Sequence, residues 1–316
     1  MLGNDFPNTL IEFEERFATE EQCQNHLFYA KYPQGYHCPK CGHIGYWMTA
    51  RHLAHCKVCG HQDSIKTGTI FEGSKKPLRL WYRAIWLVAI SKTGISAKNL
   101  QRQMGFSSYQ TAWAWLKKIR STLRSKNRTK LTGDVEVDET YIGGTQEGKR
   151  GRGSENKTLV CIGLEKLEHR QIGRIRMDII EDASAESLKK FIFNSIELKS
   201  KVHTDAYPSY SFLSTTGYKH IPEKQTKENK DNLLGSIHLV VSLFKRFMLG
   251  THQGRVSEKH MQLYLDEFVF RFNRRKSKSR GKVFYRLIDE CVGHQVIPYW
   301  KLIGRSNPGI PLSQAA

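Results

Sequence analysis

Two aspartates and four cysteines carry the chemistry legible in this sequence. Asp138 lies in the run Val135-Glu136-Val137-Asp138-Glu139-Thr140-Tyr141-Ile142-Gly143-Gly144, and Asp205 closes Lys201-Val202-His203-Thr204-Asp205 before Ala206-Tyr207-Pro208. Each run alternates apolar with polar residues or is β-branched before its Asp, so each reads as a strand with a carboxylate near its C-terminal end. Carboxylates on adjacent strands of one sheet can hold a divalent cation, Mg²⁺ or Mn²⁺. Two such cations are what in-line phosphoryl transfer on a nucleic-acid backbone requires. The cysteines form two knuckles, Cys38-Pro39-Lys40-Cys41-Gly42 and Cys56-Lys57-Val58-Cys59-Gly60. Local pairs of thiolates at this spacing suit one structural, tetrahedral Zn²⁺, and the glycine after each second Cys lets backbone amides approach the sulfurs. Two redox pairs are the rival reading, which the ribbon-like spacing disfavours. A closed four-cysteine site needs none of the nearby histidines. Cys23, Cys161 and Cys291 read as buried free thiols.

A metal pair held by two aspartates takes a third ligand, and the helical run Gly235–Gly250 can supply one. Ile237, Val240, Val241, Phe244 and Met248 form its apolar face, while His238, Ser242 and Lys245 fall on an adjoining stripe at i, i+4 and i+7. Such a helix would present His238 to the metals and Lys245 to a phosphate. Glu228, Asp231 and Glu267 compete for the same role.

Composition narrows the partner. The 316 residues carry 50 Lys and Arg against 30 Asp and Glu, a net charge of +20. That excess favours a polyanion, nucleic acid or an acidic membrane surface, through phosphate contacts and counterion release. No apolar run is long enough to span a bilayer, and the opening MLGNDFPNTLIEFEERF lacks a signal-peptide pattern. Cysteines paired for metal rather than for disulfides point to a reducing, cytoplasmic setting.

The elements that must position these groups follow from periodicity and caps. Residues 1–30 read as one acidic amphipathic helix over about 11–29, capped by Thr19 or an upstream Asn, and 31–70 as the zinc ribbon. Residues 75–127 read as a helix-turn-helix-like segment with helices at 78–90, 96–104 and 108–126, broken at Gly94 and Gly105. In the third of these Ala112, Trp115, Leu116, Ile119 and Leu123 make the core face, which leaves Tyr109, Gln110, Lys117, Lys118, Arg120 and Arg124 for solvent or DNA. An α/β catalytic domain follows at 133–282. Its strands are read at 134–142, 158–165, 171–180, 201–205 and 218–221, and its helices at 184–196, 234–249 and 257–273. That order is the one found in mixed-sheet, RNase H-like domains. Residues 283–316 read as a C-terminal tail. Two basic clusters, Lys149, Arg150 and Arg152 on a Gly-rich loop and Arg274, Arg275 and Lys276 after the last helix, are candidate phosphate contacts.

Together, the two Asp motifs and the run Tyr264-Leu265-Asp266-Glu267-Phe268-Val269-Phe270-Arg271-Phe272-Asn273-Arg274-Arg275 make the chain resemble the ISXO-like group of bacterial insertion-sequence transposases. These are DDE-type enzymes with an RNase H-like catalytic domain. The resemblance covers roughly 10–282. It implies metal-dependent cleavage at the ends of an insertion sequence and joining of the freed 3′-hydroxyls to target DNA, by a homodimer or higher multimer on double-stranded DNA in the bacterial cytoplasm. It matches Asp138 and Asp205 to the first two catalytic acids and Lys245 to the helix lysine. Lys117, Lys118, Lys149, Arg150, Arg152, Lys245, Arg271, Arg274 and Arg275 become the expected DNA contacts. One departure stands out. Where many DDE-type enzymes carry Glu seven residues before that lysine, this chain has His238, and Leu243 replaces a frequent Asn. Imidazole suits Mn²⁺ better than Mg²⁺. An inactive DNA-binding relative and an RNase H-like nuclease without strand transfer are the rival readings.

Overall fold

The computed structural model describes residues 6–125, 128–143, 157–224, 234–253, 258–294 and 297–303. The chain divides into two compact units, Met1–Ser125 with Ser277–Ala316, and Lys126–Lys276. No helix among the described residues is long and apolar enough to cross a membrane.

The first unit opens with α1 (Leu10–Arg16) and α2 (Glu20–Lys31). The single helix expected over 11–29 is therefore interrupted, and Thr19 is the reason. Its hydroxyl accepts from Gln22 N, and the Gln22 side chain accepts from Thr19 N at 2.9 Å, a reciprocal cap that starts a new helix. The ribbon strands β1 (Tyr46–Met48), β2 (Leu53–Cys56) and β3 (Gln62–Ser64) form an antiparallel meander. Buried Asp63 ties it to α2 through Lys31 Nζ at 3.0 Å and the Tyr32 hydroxyl. α3 (Leu78–Ile90) follows Pro77 and has no side-chain cap of its own. The Glu20 carboxylate supplies one, accepting from Leu78 N at 2.7 Å and Arg79 N at 2.9 Å, where the helix dipole favours an anion. α4 (Ala97–Met104) is capped by Ser96 and stopped by Gly105 at φ +64°.

α5 (Tyr109–Ser121) ends before the expected 126. Its predicted core face is buried, but so are two residues assigned to solvent or DNA. Lys117 is 1% exposed, with its ammonium over the Trp113 ring, and Arg120 is 3% exposed, donating to the Ile95 carbonyl. α5 is packed around more of its circumference than a one-sided apolar stripe indicates, so Lys117 is not a surface contact for DNA.

The second unit is built on β4 (Asp134–Ile142), β5 (Thr158–Lys166), β6 (Ile172–Ile179), β7 (Lys201–Asp205) and β8 (Lys219–Glu223), in the spatial order β6-β5-β4-β7-β8. β4, β5 and β6 pair antiparallel, and β7 and β8 join parallel. This is the mixed RNase H-like sheet expected from the element order. α6 (Ala185–Ser195), between β6 and β7, packs Leu188, Phe191 and Ile192 on Val135, Val137 and Val202. α7 (Gly235–His252) and α8 (Glu258–Asn273) cover the other face over Val160, Ile162, Ile175 and Met177.

β6 is an edge strand, and α8 satisfies its outward backbone groups. The Asn273 amide accepts from Ile175 N at 2.8 Å and donates to Ile175 O at 3.1 Å. Gln262, three turns earlier, accepts from Ile179 N at 3.0 Å and donates to Met177 O at 3.3 Å. Two amide side chains thus stand in for a missing strand.

The chain then returns to the first unit as α9 (Arg280–Gly293) and α10 (Tyr299–Ile303). Residues 283–293 are therefore a helix and not a tail. Val283, Phe284, Leu287, Ile288 and Cys291 are buried, with Phe284 edge-on to Tyr82 and Trp86. The spacing of these five was legible, but the basic run just before it masked the helix.

Replacing Asn273 by Ala leaves a donor and an acceptor of Ile175 unpaired. It should destabilise the second unit by about 1–3 kcal/mol, read as a lower urea midpoint. An unchanged midpoint would show that the edge is held otherwise.

Candidate active site and zinc centre

The ribbon brings Cys38, Cys41, Cys56 and Cys59 together, with their sulfurs all within 4.8 Å of one another. Cys38 and Cys59 Sγ lie 3.6 Å apart, as do Cys41 and Cys56. Four thiolates at 2.3 Å around a tetrahedral zinc would sit roughly 3.8 Å apart, so the donor set fits Zn²⁺. Gly42 (φ +73°) and Gly60 (φ +68°) turn each knuckle and donate back to Cys38 O and Cys56 O. Among the described residues this is the one group of three or more Cys, His, Asp or Glu side chains close enough to share an ion.

The aspartates meet through strand register. β4 and β7 align Asp134 with Lys201, Val135 with Val202 and Glu136 with His203. The same offset carried two residues further sets Asp138 against Asp205. Val135, Val137 and Val202 point to α6, so Glu136, Asp138, His203 and Asp205 share the opposite face, the one α7 and α8 cover. Asp138 accepts from Glu139 N at 2.9 Å and Asp205 from Tyr207 N at 3.2 Å. Burial, then the charges of Glu139 and Asp205, push the Asp138 carboxyl up to about 7. Glu139 itself faces the other way, accepting from the Tyr210 hydroxyl at 2.8 Å.

Two residues that sequence reasoning missed complete this surface. β8 places Glu223 opposite Asp205, so Asp138, Asp205 and Glu223 lie in one row across three parallel strands. One pleat back, His203 bridges β4 and β8, with Nδ1 3.0 Å from Glu223 Oε1 and Nε2 3.1 Å from Asp134 Oδ1. The only signal for either was register, which a single sequence does not print.

α7 carries the expected apolar face, with Ile237, Val240, Val241, Phe244 and Met248 buried, and His238, Ser242 and Lys245 exposed along one stripe. His238 sits in the first turn and does not close on both aspartates as tightly as the cysteines close on each other. Glu267 is no rival to it. It is 1% exposed and clasped by Arg271 at 2.6 Å. Glu228, Asp231, Lys149, Arg150 and Arg152 lie outside the described residues.

Three of the arginines expected on DNA, Arg271, Arg274 and Arg275, also make contacts within the fold. Arg271 is committed to Glu267, and the Arg274 guanidinium lies 3.8 Å from the Phe270 ring centre. Arg275 stacks on Phe272 at 3.9 Å and donates to the carbonyls of Ile172 and Gly173 on β6. Lys118 is half-buried, and Lys245 is exposed.

Comparison with known proteins adds the family. Residues 130–273 match the model of the ISXO2-like transposase domain, and residues 18–62 that of the transposase zinc-ribbon domain. The chain belongs to the ISXO2-like transposases. An uncharacterized protein in transposable element ISH50 of Halobacterium salinarum is 25% identical over 281 residues, 81% of this chain and 91% of its own. The Mos1 mariner paired-end complex with Mn is 15% identical, covering 70% of this chain and 78% of that one at a TM-score of 0.30. The Mos1 strand transfer complex is 14% identical over 70% and 77%, at 0.27. The ribbon match spans all four cysteines, and the domain match spans Asp138, Asp205, His238 and Lys245.

In this transposase Cys56→Ser should lose the single zinc per chain and unfold the ribbon, since metal binding and folding of such a site are coupled. Elemental analysis and a melt of the purified protein read both; a fully zinc-loaded variant would refute the site.

The Asp138 carboxyl is raised above its ordinary value near 3.9, so its contribution to stability is full below that pH and is lost as pH rises through about 7. Metal-free Asp138→Asn should therefore melt a few degrees above wild type at pH 8 and level with it at pH 4. Added Mn²⁺ should stabilise wild type alone.

Proposed function

We propose that the chain is an active DNA transposase that cleaves the ends of its own insertion sequence and joins the freed 3′-hydroxyls to target DNA. The observation that carries this reading is the pairing of Asp138, midway along β4, with Asp205 at the C-terminal end of the adjacent parallel strand β7, on the face bordered by α7. Burial, then the charges of Glu139 and Asp205, push the Asp138 carboxyl up to about 7, the electrostatic state that a divalent cation relieves. Bound Mg²⁺ or Mn²⁺ would supply an activated water and stabilise charge on the phosphate.

The chain's own residues divide the remaining work. Asp138 and Asp205 would hold the cations from strands whose separation the sheet sets. His238 would supply a nitrogen ligand from the first turn of α7. Lys245, two turns on and on the same exposed stripe, meets the phosphate. In the first step water attacks the phosphorus at the element end and the 3′-oxygen leaves as a hydroxyl. That hydroxyl then attacks a target phosphodiester, forming a new P–O bond as the target's own 3′-oxygen departs. No covalent enzyme intermediate arises. Double-stranded DNA, as element ends and target, is the partner, and two or more copies of the chain would bring two ends together.

The exposed imidazole of His238, at a position where the resemblance to DDE-type enzymes leads one to expect Glu, favours one alternative, an inactive relative that still binds DNA. Cleavage of an end-containing duplex decides between them. Asp138→Asn and Asp205→Asn should lower cleavage by about a hundredfold or more with DNA binding retained. His238→Ala should abolish it, and His238→Glu should shift the preference from Mn²⁺ toward Mg²⁺. Wild-type rates in Asp138→Asn would refute the active site. Cleavage without joined product would leave a nuclease.

A further inference from the structure

The first unit contains a cavity of about 430 Å³ that no part of the proposed reaction uses. Its wall brings together Lys75 and Lys76 from the loop before α3, Trp81 of α3, Trp115 and Lys118 of α5, and Tyr299 of α10. No Asp or Glu lines it.

The wall is rigid on one side and cationic on the other. Trp81 and Trp115 are buried and stack face to face, with ring centres 3.7 Å apart and planes within 8°. Trp81 Nε1 donates to Ser74 Oγ at 2.9 Å, which pins the start of the Lys75–Lys76 loop to the indole. Lys75 and Lys76 are exposed and Lys118 is half-buried. Among the described residues, none of the three ammonium groups makes an ion pair. Burial lowers the pKa of Lys118, as it does for a cation removed from water without a counter-charge. An anion entering the cavity would supply that charge.

The size and the aromatic lining specify which anion. A cavity of this volume is in the range of sites that hold a small organic ligand, and duplex DNA is too wide to enter it. A single nucleotide has both parts the wall calls for, a phosphate for the lysines and a flat base for Tyr299 and the indole edges. We propose that the cavity binds one unpaired nucleotide of a DNA strand, phosphate toward Lys75, Lys76 and Lys118 and base against the aromatic wall. This rests on the transposase reading for its source of strand, since a free mononucleotide offers the same chemistry.

The test uses the full-length, zinc-loaded protein and two fluorescent duplexes, one blunt and one with a short single-stranded overhang. Stacking a base on an aromatic wall adds to affinity whatever the base, so wild type should bind the overhang roughly tenfold more tightly than the blunt end. That advantage, taken relative to each variant's own blunt-end affinity, should disappear in the surface variant Lys75→Ala/Lys76→Ala and in Lys118→Met. Deoxyadenosine monophosphate should erase the advantage by competition, whereas inorganic phosphate at the same concentration should not. Equal affinity for the two duplexes, or an advantage that survives in both variants, would overturn the proposal. So would equal competition by inorganic phosphate, which would leave a bare anion site. If wild type binds neither duplex, the transposase reading fails and the strand source with it. Deoxyadenosine monophosphate held by wild type but not by Lys118→Met would then assign the cavity to the free nucleotide.

Discussion

Everything proposed for the second unit depends on the parallel pairing of β4 with β7. Its register sets Asp138 against Asp205, and a shift of one residue would turn one carboxylate to the α6 face. Val135, Val137 and Val202 are all fully buried against α6, so a shift by one residue would expose apolar side chains. The hydrophobic layer on one face thus enforces an unfavourable arrangement of charge on the other. His203 reinforces it one pleat back by bridging carboxylates on β4 and β8.

The positive charge of the chain is less available to DNA than its total suggests. Arg174 pairs with Glu165, Arg128 with Asp178 and Arg271 with Glu267, all within the second unit. Arg275 is bound to carbonyls of the edge strand, beside the Gln262 and Asn273 amides that complete the same edge. A sheet whose outer strand would otherwise present bare backbone to solvent is closed by side chains of one helix. This gives the run Tyr264–Arg275 a structural meaning: Asn273 and Arg275 cover the edge while Leu265, Phe268 and Phe272 fill the core beneath α8.

In the first unit, cohesion comes from metal ligation and aromatic packing together. The three-stranded ribbon has strands of three or four residues and little apolar area of its own, the situation in which a structural metal replaces a core. The helices beside it are rich in rings, with Phe13, Tyr82 and Trp86 each against Phe284 and Trp81 stacked on Trp115. α9, far along the chain, supplies Phe284 to that cluster.

By itself the sequence determined the local and patterned features. The two cysteine knuckles, the strands that carry Asp138 and Asp205, the caps at Thr19, Ser96 and Ser184, and the apolar face of α7 all follow from spacing and side-chain chemistry within a few residues, although Asp138 lies midway along its strand and not near the end the sequence indicated. The order of elements was enough for the RNase H-like class. Tertiary structure decided the rest, because it depends on contacts between residues far apart in the chain. Lys117 and Arg271 have the composition of surface residues, and only packing shows them buried or clasped. Glu223 and His203 join the site through register, a relation between strands that no single strand encodes. The helix at 280–293 has a clear apolar stripe, yet its partner surface lies near the other end of the sequence. Position on a helix wheel put His238 on the stripe that also carries Lys245, but how closely an imidazole approaches two carboxylates depends on the distance between a helix and a sheet, and that distance is set by the side chains packed between them.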